Sequence, residues 1–186
     1  MTHAARPGEV VWYVTGRFYE TPPDAEGESK LFDTGYFLHL AGIADATSES
    51  AAHFTFAAEP FSSRAITNGG LSIGIDRRGT FSIHFLEHGG GNFDDPKSFA
   101  AGQCIATFER ISMVPTVTLP NILMNVFSAR LVSSMPFDFE GARYDLRDTI
   151  GYGVTQWGTA APQSSLQPPS PYIAVVPFAG SALRIG

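Results

Sequence analysis

Apolar and polar side chains alternate with a period of two in short segments spread along the chain, as in His53–Phe56 and Thr80–Phe85. Successive side chains of a β-strand point to opposite faces, so this period predicts strands that each carry one apolar face. No stretch keeps the 3.6-residue apolar period for long enough to predict a helix of ordinary length. The predicted strands cover residues 10–14, 35–42, 53–56, 71–75, 80–85, 104–113, 123–134, 137–144, 149–157 and 172–178.

The composition agrees with an all-β protein that buries a large surface. Aromatic residues make up 12% of the chain, with 15 Phe, whereas charged residues make up 16% against a typical share of about 25%. A disordered chain would show the reverse. Because long strands with one apolar face can wrap a cavity, we predict a single antiparallel β-barrel of about 8–10 strands with minimal helix. We expect more than about 40% strand and less than about 15% helix.

The domain prediction places the barrel in residues 1–158. The segment Thr159–Pro171 is rich in Pro, Ser and Gln, which is typical of a linker. Tyr172–Phe178 then returns to a β-branched and aromatic run. We therefore expect residues 159–186 to form a Pro-rich segment and a C-terminal strand that packs on the barrel.

Charge and cysteine content exclude several classes of protein. The net charge is −6, whereas binding to nucleic-acid phosphates needs clustered Lys and Arg. No run of 18 apolar residues is present, and no basic start precedes an apolar N-terminal run. The single cysteine, Cys104, cannot form an internal disulfide. A cytoplasmic protein without nucleic-acid or membrane partners is expected, and a homodimer remains open.

Two short motifs match enzyme signatures in the wrong structural context. His84–His88 matches H-x-x-E-H, but a zinc protease needs this motif on a helix, and here it begins in a predicted strand. Gly70–Gly74 matches G-x-S-x-G, but Ser72 lies inside an alternating strand with no helix after it. We therefore predict no metal site and no cofactor.

Polar residues embedded in apolar strands are the remaining candidates for function. Half of each strand can face water, so most of them need no functional role. If the polar face of some strands lines a barrel lumen, the same residues would orient a ligand. The embedded residues are His39, His53, Glu109, Arg110, Arg130, Asp138, Glu140, Arg143 and Tyr144.

From these residues we predict a site inside the barrel. His39, Glu109 and Tyr144 are the predicted catalytic residues, since the strands of His39 and Glu109 carry few other charges. Within residues 35–42, alternation places Phe37 and His39 on one face. The predicted ligand-binding residues are Tyr36, Phe54, Phe85, Phe108, Phe127 and Trp157.

The long antiparallel strands, together with Gly79–Ile83 and Gly102–Phe108, resemble small ligand-binding barrels of the calycin (lipocalin-like) and allene oxide cyclase-like type. Several natural-product cyclases have such barrels. The resemblance implies a cofactor-independent cyclase or isomerase of natural-product biosynthesis, with pericyclases such as Diels–Alderases included. A hydrophobic small-molecule substrate would fold inside the barrel.

Three functions remain open at this point. An enzyme of this kind would hold a flexible substrate in a reactive conformer and polarise it with a few donors. A non-catalytic carrier would use the same apolar cavity, and both would need a cavity of roughly 300–1,000 Å³. A structural β-sandwich would have a filled core. Polar side chains that converge inside the cavity would favour the enzyme over the carrier.

Overall fold

The computed structural model describes residues 4–60, 64–68, 71–75, 79–118, 122–161 and 165–186. Strands make up 55% and helices 9%, which confirms the prediction of an all-β chain with minimal helix. The helical segments are α1 (Leu146–Ile150) and two 3₁₀ turns at Glu49–Ala51 and Pro96–Ala100. The strands are β1 (Val10–Glu20), β2 (Leu31–Leu40), β3 (Ala44–Asp45), β4 (Phe54–Ala58), β5 (Arg64–Asn68), β6 (Leu71–Ile75), β7 (Thr80–Phe85), β8 (Gln103–Thr118), β9 (Ile122–Ser134), β10 (Phe137–Phe139), β11 (Ala142–Tyr144), β12 (Gly153–Ala160) and β13 (Ala174–Ile185).

Eight antiparallel strands close into a barrel in the order β1-β2-β4-β7-β8-β9-β12-β13, and β13 pairs back to β1. The closed antiparallel barrel is consistent with a calycin-like architecture. β3 pairs with β2, and the β5–β6 hairpin pairs with β8 near Val117. Within the described residues, no helix is long and apolar enough to cross a membrane.

The C-terminal strand differs from its prediction. β13 lies between β1 and β12 and pairs with both along most of its length, so it is a barrel strand and does not lie on the barrel. The alternation of residues 172–178 predicts a strand but carries no information about its partners. The barrel therefore extends beyond the predicted boundary at residue 158.

Residues 137–144 form a hairpin where alternation predicts one continuous strand. β10 and β11 are joined at Glu140 and Gly141, which both have positive φ, of 50° and 76°. Two consecutive positive φ values are typical of the tight turn that reverses a hairpin. The hairpin brings Phe137 to 5.4 Å from the ring of Phe54, at one end of the barrel.

The two ends of the barrel differ in how they are covered. At the end next to the β10–β11 hairpin, which we call the hairpin end, the core includes Phe137 and the fully buried Leu146 and Ile150 of α1. At the opposite end, several of the described apolar side chains are partly buried and pack on the rim of the core: Phe18, Leu31, Ala58, Leu123 and Val176.

Two glycines face each other across β1 and β2 and make room for aromatic rings in the lumen. Gly16 pairs with Gly35, and a Cβ atom on Gly35 would lie 2.5 Å from the Cα of Gly16 and 2.9 Å from Cζ of Phe56. It would also overlap the carbonyl oxygen of Thr15. Only glycine allows this close approach.

We expect Gly35→Ala to lower the free energy of unfolding by about 1–3 kcal/mol, because the methyl group overpacks the lumen wall. Urea denaturation followed by tryptophan fluorescence measures the change. A loss below about 0.5 kcal/mol would mean that β1 and β2 separate easily at this point.

Candidate functional site

Aromatic side chains fill the barrel lumen around Trp12. The indole of Trp12 makes edge contacts with Phe37 at 5.5 Å and Phe108 at 5.8 Å between ring centroids. Phe81 stacks on Phe108 at 5.0 Å. Such contacts are favourable beyond simple burial, so they fix the positions of these rings.

A buried ion pair crosses this aromatic interior. Nη2 of Arg110 on β8 donates to Oδ1 of Asp33 on β2 at 2.6 Å, and the two residues are 4% and 6% exposed. β7 and β4 separate the two strands in the barrel wall, so the pair spans the lumen. The guanidinium carbon lies 5.5 Å from the ring centroids of both Phe81 and Phe127. The cation is thus held by a carboxylate and two aromatic rings.

Two amide side chains add further polar atoms to the lumen. Nε1 of Trp12 donates to Oε1 of Gln156 at 2.7 Å. Asn125 shares the inward face of β9 with Phe127, and its buried Oδ1 accepts no hydrogen bond from any described residue. The lumen therefore combines an aromatic lining with converging polar groups, the pattern that is typical of small-molecule sites.

The described lining leaves little free volume. A cavity of about 20 Å³ lies among Asp33, Arg110, Gln156 and the surrounding aromatic side chains, which is room for about one water molecule. The expected cavity of roughly 300–1,000 Å³ is not formed by these residues. A ligand in the lumen would have to displace aromatic rings, and those of Phe56 and Phe178 lie nearest to the two facing glycines.

A second concave surface lies on the outside of the barrel and has a volume of about 540 Å³. Its floor is formed by the small residues of β13 and by Gly158. Tyr13 pairs with Ser181, and Ser181 pairs with Trp157, so the two aromatic side chains stand on either side of β13. We call this surface the outer groove; it is lined by Tyr13, Val14, Leu38, His39, Met124, Trp157, Gly158, Thr159, Ala179, Gly180 and Ser181.

A β-bulge at Leu38 brings His39 to the outer groove. Tyr13 pairs with His39, whereas Val14 pairs with Phe37, so Leu38 is the extra residue of β2. Phe37 therefore lines the lumen while His39 lies outside, and the prediction that they share a face is wrong. A bulge inserts one residue and shifts the alternation after it, which the period of two alone does not reveal.

The imidazole of His39 is oriented by a carboxylate. Nδ1 lies 2.7 Å from Oδ1 of Asp45 on β3, a residue that pairs directly with His39. When the neutral ring donates from Nδ1 to Asp45, the lone pair lies on Nε2. Nε2 is then the ring atom that can accept a hydrogen bond.

The predicted site residues fall into separate places. Of these residues, His39 and Trp157 line the outer groove three strands apart, whereas Phe108 and Phe127 lie inside the lumen. Phe54, Phe85 and Tyr144 cluster at the hairpin end, where Tyr144 stacks on Phe137 at 5.7 Å. Glu109 lies on the outer face of β8, where it accepts from Arg130 at 2.8 Å. Tyr36 is buried outside the barrel against Phe93 at 6.2 Å.

Sequence reasoning missed the polar residues that actually meet inside the barrel, above all Asp33. Arg110 is among the embedded polar residues, but the sequence favours its neighbour Glu109 as the catalytic candidate. These two residues occupy opposite faces of β8, and a period of two does not indicate which face is inside. One sequence signal could have indicated the ion pair. Asp33 is an isolated charge two residues before the predicted apolar strand 35–42.

The H-x-x-E-H segment does not form a helix. His84 is on the outer face of β7, which ends at Phe85, and residues 87–88 form a turn. Within the described ranges, no group of three or more His, Cys, Asp and Glu residues could hold a metal ion. Of the G-x-S-x-G segment, the backbone at Ser72 belongs to strand β6, and Gly70 lies outside the described residues.

Burial lowers the pKa of His84, so the folded protein favours the neutral ring. As the pH falls below the ordinary value of about 6.5, the unfolded chain takes up a proton that the folded chain resists, and stability is lost. We expect the wild type to lose more free energy of unfolding than His84→Gln between pH 7.5 and pH 5. Urea denaturation at both pH values measures the difference, and parallel losses in the two proteins would contradict it.

Comparison with protein-family models, with curated proteins and with solved structures gives no match for this chain.

Proposed function

We propose that the protein is a cofactor-independent cyclase or isomerase of natural-product biosynthesis, and that its lumen folds a hydrophobic substrate in the manner of a pericyclase such as a Diels–Alderase. The observation that carries the proposal is the buried Asp33–Arg110 pair inside an aromatic lumen. A buried ion pair is rarely the most stable filling of a core, because apolar side chains of similar volume cost less desolvation. A polar pair kept in such a place is a candidate for function.

Each part of the lumen has a role in this chemistry. The guanidinium of Arg110 would donate to a substrate carbonyl oxygen and stabilise the charge that develops there in the transition state. Asp33 would hold that guanidinium in position. The rings of Phe37, Phe81 and Phe127 would keep a flexible chain in a reactive conformer. Cyclisation and isomerisation conserve atoms, so no co-substrate is required.

Because the free volume of the lumen is small, binding of a substrate requires movement of side chains. Because the described lining leaves about 20 Å³, a substrate has to turn aromatic rings away from the centre. Gly16 lies against the ring of Phe178 and Gly35 against the ring of Phe56, so these two rings line the wall at the facing glycines. Without substrate, the described lining leaves room for about one water molecule beside the ion pair.

Product analysis tests the proposal. The protein is incubated with a panel of linear polyenes that carry a diene and a carbonyl-activated alkene, and the products are identified by mass spectrometry and NMR. We expect a cyclised isomer with the wild type and none above background with the double variant Asp33→Leu/Arg110→Met. The surface pair Asp138 and Arg143, 3.1 Å apart and well exposed, provides the matched control Asp138→Leu/Arg143→Met, which should keep the activity.

The alternative is a non-catalytic carrier of a small apolar molecule. A ligand that binds in the lumen and is recovered unchanged, with no product from any substrate in the panel, would support the carrier and reject the enzyme. No binding and no turnover would reject both.

A further inference from the structure

We infer that the substrate of the lumen carries a hydrogen-bond donor, such as a hydroxyl group, and that Oδ1 of Asn125 accepts from it. The inference rests on one part of the proposed function, that the lumen takes up a hydrophobic molecule. It adds the polar group that this molecule has to carry. Asn125 is then a residue that determines which apolar molecules the lumen selects.

The side chain of Asn125 is buried inside the barrel, and its oxygen has no donor among the described residues. The residue is 3% exposed, and Oδ1 accepts no hydrogen bond from the described part of the chain. The space for one water molecule in the lumen is lined by Gln156 but not by Asn125, so Oδ1 does not face that space. A buried oxygen without a donor costs stability, and native proteins contain few of them. Such an atom is a candidate for contact with a ligand.

A second amide in the same lumen shows the contrasting, structural case. Gln156 on β12 pairs with Phe127, which lies two residues from Asn125 on β9. Its Oε1 accepts from Nε1 of Trp12 at 2.7 Å, so this oxygen is satisfied within the protein. Gln156 and Asn125 are 5% and 3% exposed, so a difference in burial does not explain why only one of the two oxygens has a donor.

Two glycines make room beside the two amides. Gly158 pairs with Asn125 on one side and with Gly180 on the other. A Cβ atom on Gly158 would lie 3.2 Å from Oδ1 of Asn125. A Cβ atom on Gly180 would lie 3.1 Å from Nε2 of Gln156. Larger side chains at these positions would press on the amides, whereas glycine leaves the space to a substrate once the aromatic rings have moved.

The position of Asn125 indicates where the donor lies on the substrate. Asn125 and Phe127 share the inward face of β9, and their Cα atoms are about 7 Å apart along the strand. The ring of Phe127 in turn lies 5.5 Å from the guanidinium carbon of Arg110. Arg110 would donate to a carbonyl oxygen and Asn125 would accept from a hydroxyl group. An apolar chain that carries these two groups several bonds apart fits both contacts.

The first test needs no ligand. We expect Asn125→Val, an apolar residue of similar size, to raise the Tm by about 2–4 °C, because a buried unpaired oxygen is removed. Gln156→Leu is the matched control and should lower the Tm, because Nε1 of Trp12 loses its acceptor. If Asn125→Val and the smaller Asn125→Ala both lower the Tm by as much as Gln156→Leu, the amide is structural and the inference is overturned.

The second test measures the preference between two linear probes, geraniol and geranyl methyl ether, which differ in the hydroxyl group. Calorimetry should show that the wild type binds geraniol about tenfold more tightly, in line with one hydrogen bond. Asn125→Val should bind the two probes equally, and Gln156→Leu should keep the preference. The inference is overturned if the wild type shows no preference for the alcohol, or if Asn125→Val keeps the full preference.

The same probes distinguish this inference from the proposed function. Neither probe has a carbonyl group for Arg110, so Asp33→Leu/Arg110→Met should leave the ratio of the two affinities unchanged. Loss of the preference in that variant would place the hydroxyl group at the ion pair and overturn the inference. A preference that depends on Asn125, with no cyclised product from any polyene, would reject the enzyme and support the inference. Cyclisation at equal rates with and without a hydroxyl group on the substrate would support the enzyme and overturn the inference.

Discussion

Breaking the buried ion pair from one side should cost about 3–5 kcal/mol of the free energy of unfolding, the largest loss expected for a polar substitution in this protein. Asp33→Asn removes the carboxylate that accepts from the guanidinium of Arg110, a residue that is only 4% exposed. Neighbouring rings stabilise the cation only in part. Urea denaturation of wild type and variant measures the loss.

The double variant Asp33→Leu/Arg110→Met should recover most of that loss, because apolar side chains of similar volume fill the same space without a desolvation cost. The exposed pair at Asp138 and Arg143 is the control, and Asp138→Asn should cost less than about 1 kcal/mol. A loss of similar size for Asp33→Asn and Asp138→Asn would mean that water reaches the lumen pair.

Removal of the Phe178 ring should lower the free energy of unfolding by a similar amount, about 3–5 kcal/mol for Phe178→Ala. This ring is buried in the lumen and lies 4.6 Å from the ring of Phe18, so its loss leaves an apolar space beside the ion pair. Most of the side chains around the enlarged space are aromatic or aliphatic, which favours a small apolar guest. Saturating benzene should therefore restore part of the lost stability to the variant and little to the wild type.

Thermal denaturation with and without benzene measures both effects. Ile173→Ala, at an exposed position, is the control and should change stability by less than about 0.5 kcal/mol. A loss below about 1 kcal/mol for Phe178→Ala would mean that this ring does not pack the lumen and that the interior is already open.

The fold class follows directly from the sequence because alternation acts within each strand. Thr80–Phe85 is a single strand, and its apolar residues Phe81 and Ile83 are both buried. Pairing between strands is not local. Nothing in residues 174–185 indicates that they close the barrel between β1 and β12, since closure depends on contacts with β1 at the far end of the chain.

The candidate site was harder to predict because the inside and outside of a strand look alike in the sequence. Glu109 and Arg110 are adjacent charges on β8, yet one faces solvent beside Arg130 and the other crosses the lumen. The bulge at Leu38 reverses the faces again within β2, so that Phe37 and His39 separate. Aromatic content correctly indicated a large buried interior, but not that the rings themselves would fill it.

The position of Trp12 allows the central claim, that the lumen receives a small apolar molecule beside Asp33 and Arg110, to be tested directly. In a Trp157→Phe variant, Trp12 is the only tryptophan left, and its indole lines the lumen cavity and donates to Gln156. Its emission is measured while linear polyenes with a conjugated carbonyl are added. We predict a saturable change at micromolar concentration, which Asp33→Leu/Arg110→Met introduced in the same background weakens at least tenfold. Emission that stays constant across the panel up to millimolar concentration would contradict the claim.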